Sequence, residues 1–533
     1  MAGKPINCLL IIIWVTLIFS QYAENVYGQE GKKNAMKSTY FEGDVMAPWE
    51  GGPSYYTKWS NGPSSASDFF PIAVWLQNPE RESSVIYKSM GINTYIGLHK
   101  GPTEAQLTAV ANLPVATYCD QNAIGLTSSN NGVIKAWTHI DEPDNAVSGT
   151  QIPVLTDTIV ARYNKMKSKD NKRPVFLNLG QGVACDAWYG RGNRTRHPED
   201  YEEYSKGADI LSFDVYPMNV SPPLDTDTSW KKTFKNEVTH KPWYVAIGVD
   251  RLRQWVNYAK PVWSSIECTN INGSTDYALT PSIVKAEVWM ALIHGARGIL
   301  YFCHQITPFV EAGLLANTEM CNGVAAINEQ ITSLAEVLNT QSVANGFTTV
   351  SGNSEVSVDA MLKRFGGNTY LFAVAMRPGT TNATFTLTNL TGNTSVEVVG
   401  ENRNLQSVNG AFQDTFTNYA VHIYKFSHVT GVSENPNSMD YNLYQNTPNP
   451  FHQSTTISYQ IPDHGLVKLN VYNIYGGKIA TLVDETKQPG KYDVRFNTPS
   501  IQSSIYICKM QVVTTGNNKV FLASQKMLSY IDN

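Results

Sequence analysis

The feature that most constrains this chain is a set of eight short apolar runs, at residues 70–76, 92–98, 114–119, 134–140, 174–179, 210–215, 261–266 and 298–303. They are strand-length and lack polar alternation, the pattern of strands buried on both faces. Between them lie segments of helical character, among them 80–90, 153–169 and 281–294, the last with Val284, Val288, Met290, Ala291 and Leu292 on its apolar side. The glycine in KSMGINTY (88–95) is a helix stop just before a strand. Eight repeats predict a closed (β/α)8 barrel of the TIM type. A doubly wound open sheet competes, but it needs no eighth repeat, and no glycine-rich phosphate loop follows the first run.

The rest of the chain divides around that barrel. Residues 1–28 read as a secretory signal, with Lys4, an apolar core over 9–19 and a small or polar stretch ending at Gly28. Cys8 precedes the apolar core, where no lipidated cysteine would sit, so no membrane anchor is expected and the mature chain should be secreted or held at the cell surface. Residues 29–340 are assigned to the barrel and a polar, aromatic lead-in. Alternating segments at 356–361, 369–376, 383–387, 395–399 and 419–426 predict a small β-sandwich over 341–427. Residues 428–440 have a linker's composition, and 441–533 form a separate all-β module.

A net charge of −4 over 533 residues argues against a nucleic-acid partner, which selects a strongly basic face. The cysteines after Cys8 (119, 185, 268, 303, 321 and 508) show no CxxC pair or regular spacing, so neither a zinc site nor a disulfide framework is expected. They read as small buried residues, with a Cys185–Cys321 bridge left open. No metal or cofactor motif is present in the sequence.

In a closed barrel the carboxyl ends of all eight strands share one face, where active sites lie. The residues at those ends are His99, Asp120, Glu142, Asn178, Gln181, Asp214, Tyr216, Glu267 and His304. The fourth run, IKAWTHIDEP (134–143), climbs through Trp137 and stops at an acid followed by proline, which cannot continue a ladder. The seventh, PVWSSIECT (261–269), carries Trp263 and ends on Glu267. Two carboxyl groups flanking one bond are what glycosyl transfer requires, one protonated to donate to the leaving oxygen and the other to attack. Glu142 is the expected acid/base and Glu267 the expected nucleophile, while Asp214, in SFDVYP (212–217), competes for a place in the pair. The bland alternative is that these acids form salt bridges with neighbouring loops. After the fifth run, DAWYGRGNRTRH (186–197) gathers Arg191, Arg194, Arg196 and His197 among aromatics. Arginine forks fit sulfate or carboxylate oxygens, so the loop points to an anionic polysaccharide unless it is a solvated charge run.

With Glu-Pro ending its fourth run and a Pro-x-Trp-x-x-x-Glu-like seventh, residues 69–310 resemble the large clan of (β/α)8 retaining glycoside hydrolases with catalytic glutamates on strands four and seven. One departure is Asp141, where that clan carries Asn before its acid. The strand-and-loop set also resembles glycoside hydrolase family 168, which implies endo-cleavage of α-1,3-linked sulfated fucan with retention. That resemblance makes the four cations of 186–197 sulfate-binding candidates, beside Trp137, Asn178, Tyr216, Trp263 and His304 as substrate contacts. The segments YNLYQNTPNPF (441–451), VYNIYGGKI (471–479), QPGKY (488–492) and KML (526–528) closely resemble the type A sorting domain of the Bacteroidetes type IX secretion system, which implies that machinery as a partner. Two rival functions stay open, a β-glycanase on a neutral glucan or galactan and a barrel that binds polysaccharide without cleaving it.

Overall fold

In the computed structural model the described residues are 44–274, 279–388, 390, 392–427, 441–444, 446–449, 451–473, 478–498, 504–515 and 520–529. The expected signal at 1–28, the start of the lead-in and the expected linker at 428–440 lie outside them. The chain forms two units, one ending at His428 and the other beginning at Val429.

In the first unit the eight runs are strands β1 (Ile72–Gln77), β2 (Thr94–Leu98), β3 (Ala116–Asp120), β4 (Ile134–Thr138), β5 (Val175–Leu179), β6 (Ile210–Phe213), β7 (Val262–Glu267) and β8 (Ile299–Phe302). All neighbours pair in parallel, and β1 closes on β8 through Ile72–Ile299 and Ala73–Leu300. The interior takes one residue from every strand: Ala73, Ile96, Tyr118, Ala136, Phe176, Ile210, Trp263 and Leu300. The aromatic trio Tyr118, Phe176 and Trp263 fills the middle, with ring centroids 5.4–5.7 Å apart. A Cβ at Gly298 would lie 2.2 Å from the Trp263 ring, so only glycine leaves that indole its place.

The described lead-in completes this core. Tyr55 and Tyr56 join the interior cluster, and the Tyr55 hydroxyl donates to Asp209 O, just before β6. These rings therefore close the barrel's N-terminal end and leave the opposite end for loops. Glu50 of the same segment is buried and pairs with Arg297, which precedes β8, and with Lys363 of strand β10 (Val358–Phe365). Two cations share one acid, so Lys363 is pushed down to about 7 by burial while Glu50, despite its own burial, is drawn down to about 2 by Arg297 and Lys363.

Beyond the barrel the chain is β-rich and antiparallel, as expected. Strands β9 (Phe347–Ser351), β10, β11 (Asn368–Ala375), β12 (Thr381–Leu387), β13 (Asn393–Val398), β14 (Arg403–Val408), β15 (Ala411–Phe416) and β16 (Val421–Ser427) form one continuous antiparallel sheet, ordered β10-β11-β16-β13-β14-β15-β12-β9. Only Val408–Ala411 joins β14 to β15, so the sheet folds over at that hairpin and encloses a core that includes Leu362, Leu371, Phe385 and Tyr424.

The second unit has its own core, including Phe451, Leu469, Phe496 and Met510, between a three-stranded and a four-stranded antiparallel sheet. Among the described residues no helix is long and apolar enough to cross a membrane.

Candidate active site

β4 ends at Thr138 and β6 at Phe213, so Glu142 and Asp214 lie just past the last ladder residues, on the loops of the C-terminal rim. The turn at Glu142 is tight. Its φ is +41°, a conformation that non-glycine residues rarely adopt, and it is held by Glu142 N donating to Asn178 O and Asn145 N donating to Glu142 O. Asp144, two residues on, is buried and accepts from Gly180 N at 2.8 Å and Tyr201 Oη at 2.9 Å, tying this loop to the one after β5.

The geometry brings Glu142 and Asp214 together. Their carboxyls are in hydrogen-bond contact, which requires one shared proton. Burial pushes Glu142 up to about 7, with the Asp141 charge adding to the rise and contacts with Asp214 and Asn145 opposing it. Asp214, 8% exposed, is raised well above the carboxylate range by burial and then by Glu142 and Asp141. Two acids in contact in a poorly solvated site cannot both ionise, so the pair keeps at least one proton at neutral pH.

Asn178 organises the acids. Its Nδ2 donates to Asp141 Oδ1 at 3.0 Å and Asp214 Oδ1 at 3.3 Å, and its Oδ1 accepts from Ser212 Oγ at 2.5 Å, which fixes the amide's orientation. Tyr216 stands in the field of Asp214, Glu142, Asp141 and Glu267, its ring tilted against Phe302 at 5.5 Å. Asp141 and Asn178 open onto a cleft of about 870 Å³ that runs over the ends of β1–β5, with Trp75, Asp120, Thr138 and Phe176 also in its lining.

Glu267 is organised differently. It is fully buried, accepts from Met218 N at 2.7 Å and from Asn219 Nδ2, and meets the carboxyl of Glu287, from the helix Pro281–Ile293. Burial raises Glu267 to about 7 and holds Glu287 well above its ordinary value, with the Glu267 charge adding to the latter. Met218 and Asn219 belong to the loop after β6, so Glu267 anchors the segment that presents Tyr216. Sequence reasoning missed Glu287, because a lone acid on an apolar helix face shows no partner in the sequence.

Several expected substrate contacts are corrected by packing. Trp137 is fully buried, with Nε1 donating to Asp170 Oδ2 and the ring under Arg173. Trp263 is part of the barrel interior. His304 is buried, with its ring nitrogens engaged by the backbone of Leu76 and Ala312. The loop cations are also committed. Arg191 is buried against Asp200 and His197 O, Arg194 pairs with Asp200 and Glu199, and His197 pairs with Glu199. Arg196 remains exposed, its guanidinium over Trp230 at 4.3 Å. The sequence signal for those pairings was the acid pair Glu199-Asp200 directly after the loop. Of the remaining rim residues, His99 and Asp120 are exposed and Gln181 opens a short 3-10 turn.

The described cysteines are all free. Cys185 Sγ donates to Glu237 and Cys321 Sγ contacts Met90 Sδ, so the two are not bridged. Among the described residues no group of three or more His, Cys, Asp or Glu side chains is arranged to hold a metal ion.

No family model and no curated protein matches the chain. Among solved structures it is similar to a GH30 endoxylanase from Clostridium papyrosolvens C71, at 12% identity and a TM-score of 0.39, covering 72% of this chain and 98% of that one. It is also similar to α-galactosidase I from Mortierella vinacea, at 10% identity and a TM-score of 0.41, covering 68% and 98%. A third is the α-amylase from Geobacillus thermoleovorans, at 11% identity and 0.38, covering 68% and 99%. Superpositions this loose carry no functional assignment.

Proposed function

We propose that this chain is a secreted glycoside hydrolase that cleaves an anionic polysaccharide by retaining, endo-acting chemistry, with sulfated α-1,3-L-fucan as its substrate. The observation that carries the reading is the proton-sharing pair Glu142–Asp214 on the rim of a closed (β/α)8 barrel, beside an open cleft. Glycoside hydrolysis needs a protonated carboxyl and a carboxylate at one bond, and a buried pair that holds one proton at neutral pH supplies both. The fucan, the retention and the endo action rest on the family resemblance; the sorting-domain resemblance of 441–533 and the N-terminal signal support export.

A glycosidic oxygen entering between the two acids separates them. The Asp141 charge raises both acids, and their contact raises Asp214 and lowers Glu142, so the shared proton starts on Asp214 and passes to Glu142, the acid/base that the strand-four resemblance implies, as the two part. Glu142 then donates to the leaving oxygen and later activates water, and Asp214 is the carboxylate on the opposite side. Glu267 stays in its buried pair and positions the Tyr216 loop.

Azide rescue tests the pairing. Asp214→Gly should regain activity with azide and release a glycosyl azide, and Glu142→Gln should lower kcat by about 10³. Azide rescue of Glu267→Gly instead would move the nucleophile to Glu267 and overturn the assignment. A chain that binds polysaccharide but releases no reducing ends from sulfated fucan or any neutral β-glycan is no hydrolase.

A further inference from the structure

The cleft has a second wall that the catalytic reading does not use. The helix Thr156–Lys169 follows β4 and flanks the opening, and three of its cations, Arg162, Lys165 and Lys169, line the same cleft as Asp141 and Asn178. Their spacing of three and four residues puts all three on one helix face, spread over ~10 Å of axis at 1.5 Å per residue. All three are exposed, and none forms an ion pair among the described residues. The contrast within the same turn is Lys167, which points elsewhere and is spent on Arg173 O and Asp209. Exposed lysines on a helix are ordinary; three unpaired cations lining one cleft with Asp141 and Asn178 are not.

We propose that Arg162, Lys165 and Lys169 form an anion-binding ridge that receives sulfate esters or carboxylates on consecutive sugar rings of the polysaccharide lying in the cleft. The inference rests on the glycan-cleaving reading for the identity of the chain in the cleft, but not for the ridge itself. The cleft is polarised across its width, with cations along the helix and acids at the strand ends. The acids of the lining are Asp120 and Asp141, while Glu142 and Asp214 lie beside it and, by sharing a proton, repel an anionic chain less than two free carboxylates would. A polyanion is therefore drawn toward the helix wall and held off the strand ends, which sets its anionic groups on the side of the ridge. The ridge takes over the role expected of Arg191 and Arg194, which are consumed by Asp200 and Glu199.

The test is a binding measurement on the full chain carrying Glu142→Gln, so that turnover does not interfere. The probes are sulfated fucan, the same fucan after chemical desulfation, and polygalacturonate, each at low and high salt. Combining Arg162→Gln, Lys165→Gln and Lys169→Gln should weaken binding of at least one anionic probe tenfold or more at low salt and flatten its salt dependence. Sulfated fucan alone being affected identifies sulfate; polygalacturonate alone identifies carboxylate. Lys88→Gln, Lys172→Gln and Lys206→Gln, three exposed cations away from the cleft, should leave affinity within twofold. The ridge is refuted if its triple variant binds every anionic probe within twofold of the parent, if the control triple weakens binding equally, or if the parent binds none of them. Loss of binding in the ridge variant, combined with no hydrolysis by the unmutated chain, would keep the ridge and discard the enzyme.

Discussion

Among the described residues Glu287 meets no N–H or O–H donor; its partner is the Glu267 carboxyl, and a proton has to lie between them. Glu267 has a folded pKa of about 7 against 4.5 when free, so the folded state binds more protons over that interval. Its stabilising contribution is therefore complete below about 4.5 and is lost as pH rises through 7. The unfolding midpoint should therefore fall between pH 5 and 8. Glu287→Gln supplies a permanent amide donor and removes one titrating acid, so it should shrink that fall; an unchanged midpoint difference by calorimetry would show that the pair does not titrate. The Glu142–Asp214 pair imposes its own pH limits. Hydrolysis should be lost at low pH, where both acids are protonated, and again at high pH, where neither keeps a proton, and Asp141→Asn should shift the kcat profile downward by removing a like charge. At this scale the position of Glu142, Asp214, Asn178 and Tyr216 at the C-terminal rim was legible because each lies at or just past a strand end. Arg191 and Trp137 were misread, because residue type does not reveal whether a partner such as Asp200 or Asp170 has already claimed the side chain.

At the scale of elements, the barrel strands were legible because burial on both faces leaves uninterrupted apolar runs, although six of the eight strands start one or two residues later than their runs do. The sheet beyond was less so. β9, β14 and β15 are only partly buried, and their alternation is diluted by polar residues on both faces. The local signal was Asn409-Gly410, both at positive φ (49° and 81°), the pairing that closes a tight two-residue hairpin between β14 and β15. The lead-in had no period to read, since its work is done by single side chains. Glu50 is the clearest: removing it strands Arg297 and Lys363 in the interior. Glu50→Ala should cost about 3–5 kcal/mol at neutral pH in a denaturant titration. Because its folded pKa lies near 2, the wild-type contribution holds above about 4.5 and disappears as pH falls toward 2, so the variant and parent should converge in acid. A constant gap from pH 7 to 2 would rule out an ionic origin.

For the whole molecule, the barrel, its lead-in and the folded-over sheet share one unit, and residues from Val429 onward make another whose core draws no residue from the first. Every residue assigned here to the pair, the cleft or the ridge lies in the first unit. The second unit buries Phe451, Tyr459, Leu469, Val471, Phe496 and Met510 within about 90 residues, a size at which an all-β module can stand alone. Two cores with separate membership predict two unfolding events. A chain ending at residue 427 should therefore lose one calorimetric transition, keep the other at its original midpoint, and hydrolyse its polysaccharide with kcat/KM within about twofold of the full chain. If the sorting-domain resemblance governs the second unit, the same truncation should abolish release from a cell that carries the type IX machinery while leaving the purified enzyme intact. A truncated chain that folds but has lost most of its kcat/KM would mean that the second unit supplies part of the substrate site, and the division of labour argued from the two cores would fail.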